Sequence, residues 1–234
     1  MTLDGTNSLL SGPLVRGKPT SVSVISSRDI STSRFLPGII GVINAAFSES
    51  HYRNAQLGMN GNFPRIASDE EFLRNITHDT EAFAVAIHPK DEKEVFATAT
   101  ARRYSGPSSD PTARITPWVR RLEVEDGFEE WELKMMATNP DLQGQGLAGY
   151  MMKFVDDEVI RRFSKKQLTN AASHGDLAKR LKIPLSTPTE VNGSFYLRKG
   201  YKVDYENERG EGYNFHIAFM SKEIIIPALN EAPL

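Results

Sequence analysis

Apolar positions along the chain switch repeatedly between a period of two and a period near 3.6, the signature of strands interleaved with helices. Val22, Val24 and Ile25 form a short β-branched segment that predicts a first strand. From residue 37 to about 54, Ile39, Ile40, Val42, Ile43, Ala46 and Phe47 recur at helical spacing, with Pro37 suited to a first-turn position. Gly58, Gly61 and Pro64 then break regular structure, and Ser68 with Glu71 matches a capping box ahead of Phe72, Leu73 and Ile76. This pattern predicts a second, shorter helix. Residues 82–88 and 94–104 are apolar runs on either side of the polar link 89–93, and they predict two antiparallel strands. Residues 105 to about 130 are rich in Pro, Ser, Asp and Gly and keep no period, so they predict a long surface excursion.

The second half repeats the alternation. Residues 131–138 are apolar enough for a buried strand, 144–163 carry a helical period through Leu147, Tyr150, Met151, Phe154, Val155 and Val159, and 167–172 predict a further short strand. Thr187 with Glu190 forms a second capping-box pattern, with Pro188 at the first helical position, and predicts a helix through Val191, Phe195 and Leu197 that Gly200 ends. Residues 201–205 and 213–225 predict two closing strands around a turn at 206–212. The sum is one mixed α+β domain over residues 20–226, preceded by a flexible or loosely docked arm over 1–19 and followed by a tail over 227–234.

Composition narrows the function classes. The chain has 234 residues, 39% of them hydrophobic and 25% charged, which suits a globular domain and supplies no run long and apolar enough to span a membrane. A formal net charge of -2 provides no basic field for nucleic acid. With 0 cysteines there is no thiolate nucleophile, disulfide or thiolate-held zinc. The five histidines, at positions 51, 78, 88, 174 and 216, keep no metal-ligand spacing, so no metal is expected. The N-terminus lacks the basic start and apolar core of a signal peptide, and a cytoplasmic protein is expected.

The chemistry concentrates where the strand at 131–138 turns into the next helix. Gln143, Gly144, Gln145, Gly146, Leu147, Ala148 and Gly149 place three glycines at that turn, where backbone N–H groups and the positive helix end can seat a pyrophosphate. Alone, such a turn could equally be a dinucleotide-binding or a plain structural one. Its place beyond the middle of the chain and the lack of a following Gly-Lys-Ser/Thr argue against Rossmann and P-loop readings.

The loop resembles the Gln/Arg-x-x-Gly-x-Gly/Ala signature of the GNAT (Gcn5-related N-acetyltransferase) superfamily at Gln143, Gly146 and Ala148, with Pro140 where that family has its proline. Phe195, Tyr196, Leu197, Arg198, Lys199, Gly200 and Tyr201 resemble the family's Tyr-x-x-x-Gly-Phe ending, with Tyr201 in place of Phe. This resemblance implies a GNAT-like, mainly antiparallel sheet flanked by helices, with a strand splayed at the cofactor site. It implies acetyl-CoA as cosubstrate, its pyrophosphate on the amides of Gln143, Gly144, Gln145, Gly146, Leu147 and Ala148 and its pantetheine arm along the main chain of Met136, Ala137 and Thr138. It also implies Glu132, 11 residues before Gln143, as the base or as a bystander to a water relay, and Tyr196 as the acid that protonates the leaving sulfur.

Met135 and Met136 also read as core residues, and Phe47, His51 and Tyr52 as core or surface residues near an acceptor site. The pairs Arg102–Arg103 and Arg120–Arg121 read as solvated surface, and Thr189 stands where the family often has a pantetheine-holding Asn. The expected reaction is acetyl transfer to a primary amine, with a small molecule as acceptor. A peptide acceptor and a silent CoA-binding module stay open, as does a homodimer.

Overall fold

The computed structural model describes residues 10–59, 63–90, 93–109, 111, 116–171, 180–224 and 226. Its described strands belong to one eight-stranded sheet, in which one neighbouring pair runs parallel. The chain forms two compact units, residues 1–102 with 134–155 and residues 103–133 with 156–234.

In the first unit, β1 (Leu10–Ser11), β2 (Thr20–Ser26), β3 (Phe83–Pro89) and β4 (Ala97–Tyr104) pair antiparallel, and the end of β5 (Phe128–Thr138) follows β4 in the sheet order. The described part of the N-terminal arm is therefore docked, with Leu10 opposite Val22 and Val15 buried. Helix α1 (Leu36–Arg53) carries Pro37 in its first turn, and α2 (Asp69–Ile76) is capped by Ser68, whose Oγ accepts from the Glu71 amide at 3.2 Å. Both helices turn apolar faces inward. Ile39, Val42 and Ile43 of α1 and Phe72 and Ile76 of α2 share one core with Ile25, Ala84, Ala86 and Ala137. Small residues on β3 let the helices lie close to the sheet, and burial of this kind is worth about 25 cal/mol per Å² of apolar surface.

In the second unit, the start of β5 runs parallel to β6 (Arg180–Pro188) from Phe128 opposite Arg180 to Glu130 opposite Lys182. Strand β8 (His216–Ile224) pairs antiparallel with β6 on one side and with β7 (Lys202–Glu208) on the other. Strand β6 was not expected, because Lys182 and Pro184 obscure its alternation. Pro184 lies beyond the last β5 pairing, where a missing N–H costs no ladder bond on that side.

Helix α3 (Leu147–Ala171) overturns the strand expected at 167–172 and outlasts the helix expected to stop at 163. Glu158 accepts from Arg161 at 2.7 Å and Arg162 at 2.6 Å, the three- and four-residue spacings that support a solvated helix. The capping box expected at Thr187 and Glu190 also fails. Thr187 is buried inside β6, a π-helical turn spans Thr189–Gly193, and α4 (Ser194–Leu197) is a single turn. Glu190 instead accepts from the His216 amide at 2.9 Å and lies 2.7 Å from His216 Nδ1. Gly200, at φ 86, follows α4 in the left-handed conformation expected of it.

Candidate functional site

Met136, Ala137, Thr138, Gln143, Gly144, Gln145, Gly146, Leu147 and Ala148 all belong to the first unit, whereas Glu132 and Tyr196 belong to the second. Within the first unit the end of β5 is the outermost strand, so Met136, Ala137 and Thr138 form its main-chain edge. Met135 has φ 48, a left-handed residue inside a strand, which breaks the pleat and re-aims the three residues after it. Its side chain packs against the core of the unit, in keeping with its reading as a core residue. Asn139 then turns the chain: its amide donates to the Phe96 carbonyl at 2.8 Å and its Oδ1 accepts from the Asp141 amide at 3.0 Å.

The loop itself is built from main chain. Gly144 and Gly146 have φ 80 and φ 78, and a Cβ at either would meet no atom within 4 Å, so both face open space. The amides from Gly144 to Gly149 donate to no acceptor among the described residues, and the first helical bond runs from the Tyr150 amide to the Gly146 carbonyl. Helix α3 carries no acidic residue in its first turn, so the positive end of its dipole is left for a ligand. Two arginines border this run. Arg53 Nη1 donates to Gln143 Oε1 at 3.2 Å, and the Arg16 amide donates to Gln145 Oε1 at 3.0 Å.

Free amide donors, open space and the positive end of a helix thus meet at this loop. Gly144, Gly146 and Gly149 do keep Gly-x-Gly-x-x-Gly spacing, but a sheet with one parallel pair is not the doubly wound parallel sheet of a dinucleotide fold.

In the second unit, Tyr196 is buried on α4, with its ring 5.6 Å from that of Tyr201. Burial pushes the Tyr196 phenol well above its ordinary range, so it keeps its proton, and its hydroxyl has no partner among the described residues. Glu132 is half-buried on β5, near enough to Tyr104 to help raise that phenol, after burial as the main cause and against the opposing Arg120 charge.

Sequence reading missed the group beside Glu132. Glu129 and Glu130, at the end of the stretch expected to be a surface excursion, are buried: Glu129 accepts from Trp131 Nε1 at 2.9 Å and pairs with Arg103 at 3.0 Å, and Glu130 pairs with Arg120. Arg120 is therefore an interior residue, packed 4.7 Å from the Tyr104 ring centre and 3.5 Å from Asp204. Arg120, Glu130, Asp204, Lys182, Glu123 and Glu125 line a cavity of about 470 Å³. No local pattern marks this burial, because both glutamates precede the apolar run at 131–138.

At the end of α1, Phe47 and His51 stack at 3.9 Å while Tyr52 is exposed. Among the described residues, no group of three or more His, Asp or Glu side chains could hold a metal ion.

No protein-family model matches this sequence, and no curated protein matches it at a significant level. Solved structures do. The chain is similar to the ribosomal-protein-S18-alanine N-acetyltransferase from Escherichia coli, at 14% identity over 92% of this chain and 99% of that one, with a TM-score of 0.50. It is also similar to a chain of the NatC complex bound to Gag peptide and CoA, at 12% identity over 87% and 99% of the two chains, with a TM-score of 0.51. An acetyltransferase of the GNAT family from Streptococcus pneumoniae matches at 11% identity over 88% and 99%, with a TM-score of 0.47. At such identities the likeness is one of fold, and it agrees with the mixed sheet and the strand, glycine loop and helix of β5 and α3. The chain has the fold of the GNAT N-acetyltransferases.

Proposed function

We propose that the protein is an acetyl-CoA-dependent N-acetyltransferase that moves the acetyl group directly to a primary amine. The observation that carries this reading is the run of amides from Gly144 to Gly149 with no acceptor among the described residues, at the start of a long helix and after a main-chain strand edge. The phosphates are assigned to the amides of Gly144, Gln145, Gly146, Leu147 and Ala148, and the pantetheine arm to the edge at Met136, Ala137 and Thr138; the Gln143 amide, expected in the same set, instead donates to the Pro140 carbonyl at 3.3 Å. Contacts of this type use main chain and tolerate varied side chains.

Direct transfer needs no enzyme nucleophile, and the chain has 0 cysteines to offer as one. The neutral amine attacks the thioester carbonyl, the C–S bond breaks, the amine proton passes to a base, and the leaving sulfur takes a proton from an acid. Tyr196 is assigned the acid role from its place in the Tyr-x-x-x-Gly ending, where its phenol carries a proton to give. Glu132 is assigned the base role, acting directly or through water.

A small-molecule amine is the favoured acceptor. The open cleft of the second unit supports it by a lining in which carboxylates outnumber cations. A peptide acceptor is the second reading, since the two solved structures with the higher TM-scores are named for a ribosomal-protein alanine and for a bound peptide.

CoA release from acetyl-CoA, followed with a thiol-reactive chromogen, tests all of this. With 0 cysteines in the chain, every thiol that reacts is CoA. Release that depends on a small amine is the expected result, and release with peptides alone would move the acceptor to the second reading. Tight acetyl-CoA binding with no release across amines, amino acids and peptides would sink the enzyme reading and leave a CoA-binding module.

A further inference from the structure

Arg16 occupies a position for which local structure favours other residues. Val15 and Lys18 exchange two backbone hydrogen bonds, each of 2.9 Å, across a tip formed by Arg16 at φ 49 and Gly17 at φ 75. Two successive left-handed residues make a type I′ turn, whose favoured tip is Asn-Gly. An arginine there carries a steric penalty that glycine or asparagine largely avoids. The turn does not need its guanidinium, so the side chain answers to something outside the turn.

That side chain lies on the glycine loop. Arg16 Nη2 donates to the Asp141 carbonyl at 2.7 Å, while the Arg16 amide holds Gln145 Oε1 at 3.0 Å. Strand β1 adds a third tie, because the Ser11 carbonyl accepts from the Tyr150 hydroxyl at 3.2 Å. The N-terminal segment thus grips the loop on both sides of its glycines, and all of these residues belong to the first unit. Among the described residues, the other N–H donors of the Arg16 guanidinium meet no acceptor. An arginine keeps its charge at any working pH and forks onto phosphate oxygens.

We propose that Arg16 is a phosphate-binding residue of the cofactor site, supplied by the N-terminal turn to the anion-binding amides of the glycine loop. The proposal rests on the reading of that loop as the CoA site. The Arg16 amide, the Ser11 carbonyl and the turn all survive replacement of the side chain, and of the ties to the loop only the Nη2 bond to the Asp141 carbonyl is lost with it.

The deciding variant is Arg16→Asn, which keeps and suits the turn while removing the charge, with Arg16→Lys beside it. Full-length proteins are titrated with CoA, dephospho-CoA and pantetheine at low and high salt, and their melting temperatures are measured. The Asn variant is expected to melt no lower than the parent yet to bind CoA about tenfold more weakly. The gap should shrink at high salt, and the Lys variant should fall between the two. A loss shared by CoA and dephospho-CoA assigns Arg16 to the pyrophosphate, and a loss confined to CoA assigns it to the 3′-phosphate. Both support the proposal. Equal CoA affinity in parent and Asn variant overturns it, as does an equal loss toward pantetheine, which has no phosphate. A parent protein that binds no CoA would instead overturn the cofactor reading itself.

Discussion

The glycine loop of the first unit and the charged group of the second are built on opposite plans. The loop offers main-chain amides, exposed and unused, on glycines whose Cβ positions face open space. The group around Glu130 offers side chains, with Glu130 and Arg120 both buried and paired to each other. A site made of backbone is preorganised by chain geometry and tolerates sequence change so long as the turn survives. One made of buried charges depends on each partner, because removing one strands the other in a medium that solvates it poorly. The difference lies in where this protein can vary: the glycine loop is set by conformation, and the interior of the second unit by specific pairs.

The largest expected effect falls on the side-chain plan. Glu130→Ala should cost up to about 3 to 5 kcal/mol of stability by leaving the buried Arg120 with only the Asp204 carboxylate, 3.5 Å away, read by chemical denaturation. CoA affinity measured well below the melting transition should stay close to that of the parent. A loss under about 1 kcal/mol would mean that the pair is solvated after all.

Tyr196→Phe sharpens the contrast from the chemical side. A phenol that protonates the leaving sulfur predicts a fall in kcat of about 10²-fold or more with acetyl-CoA affinity nearly unchanged. If the substitution lowers stability and leaves kcat intact, Tyr196 is a packing residue.

Gly146→Val attacks the main-chain plan. A β-branched residue at φ 78 carries a strain of about 1–3 kcal/mol, although its Cβ would meet no protein atom within 4 Å. CoA affinity should fall about tenfold or more while the fold is retained, and unchanged affinity by calorimetry would remove the loop from the site.

The smallest effect concerns pH. His216 is raised above its ordinary value by its hydrogen bond to Glu190. A raised histidine contributes stability that is fully present below its unfolded value of about 6.5 and is lost as pH rises through the higher folded value. For Glu190, burial works to raise the carboxyl, but the bonds from His216 outweigh it and hold the group low, a contribution lost only in acid. His216→Gln should therefore flatten a shallow decline in melting temperature from neutral pH upward, and an unchanged profile would show that the pair is solvated.

Periodicity made most elements legible. The apolar stripe of α1, the Ser68 cap of α2 and the strands β3 and β4 follow from local pattern, because each depends on residues a few positions apart. The errors came where distant partners override local preference. Strand β6 forms around Pro184 because β8 pairs with it along its length, and Thr187 cannot cap a helix while it is buried inside that strand.

The sequence by itself determined the glycine loop, since glycine spacing, the preceding strand and the following helix are local properties and the functional groups are the backbone's own. Tertiary structure alone decided which charges are interior and which turn meets the loop. Arg120 reads like any surface arginine until Glu130 is placed against it, and Arg16 lies 129 positions from Gln145 along the chain. The physical reason is that burial and pairing are properties of neighbours in space, and a chain records only its neighbours in order.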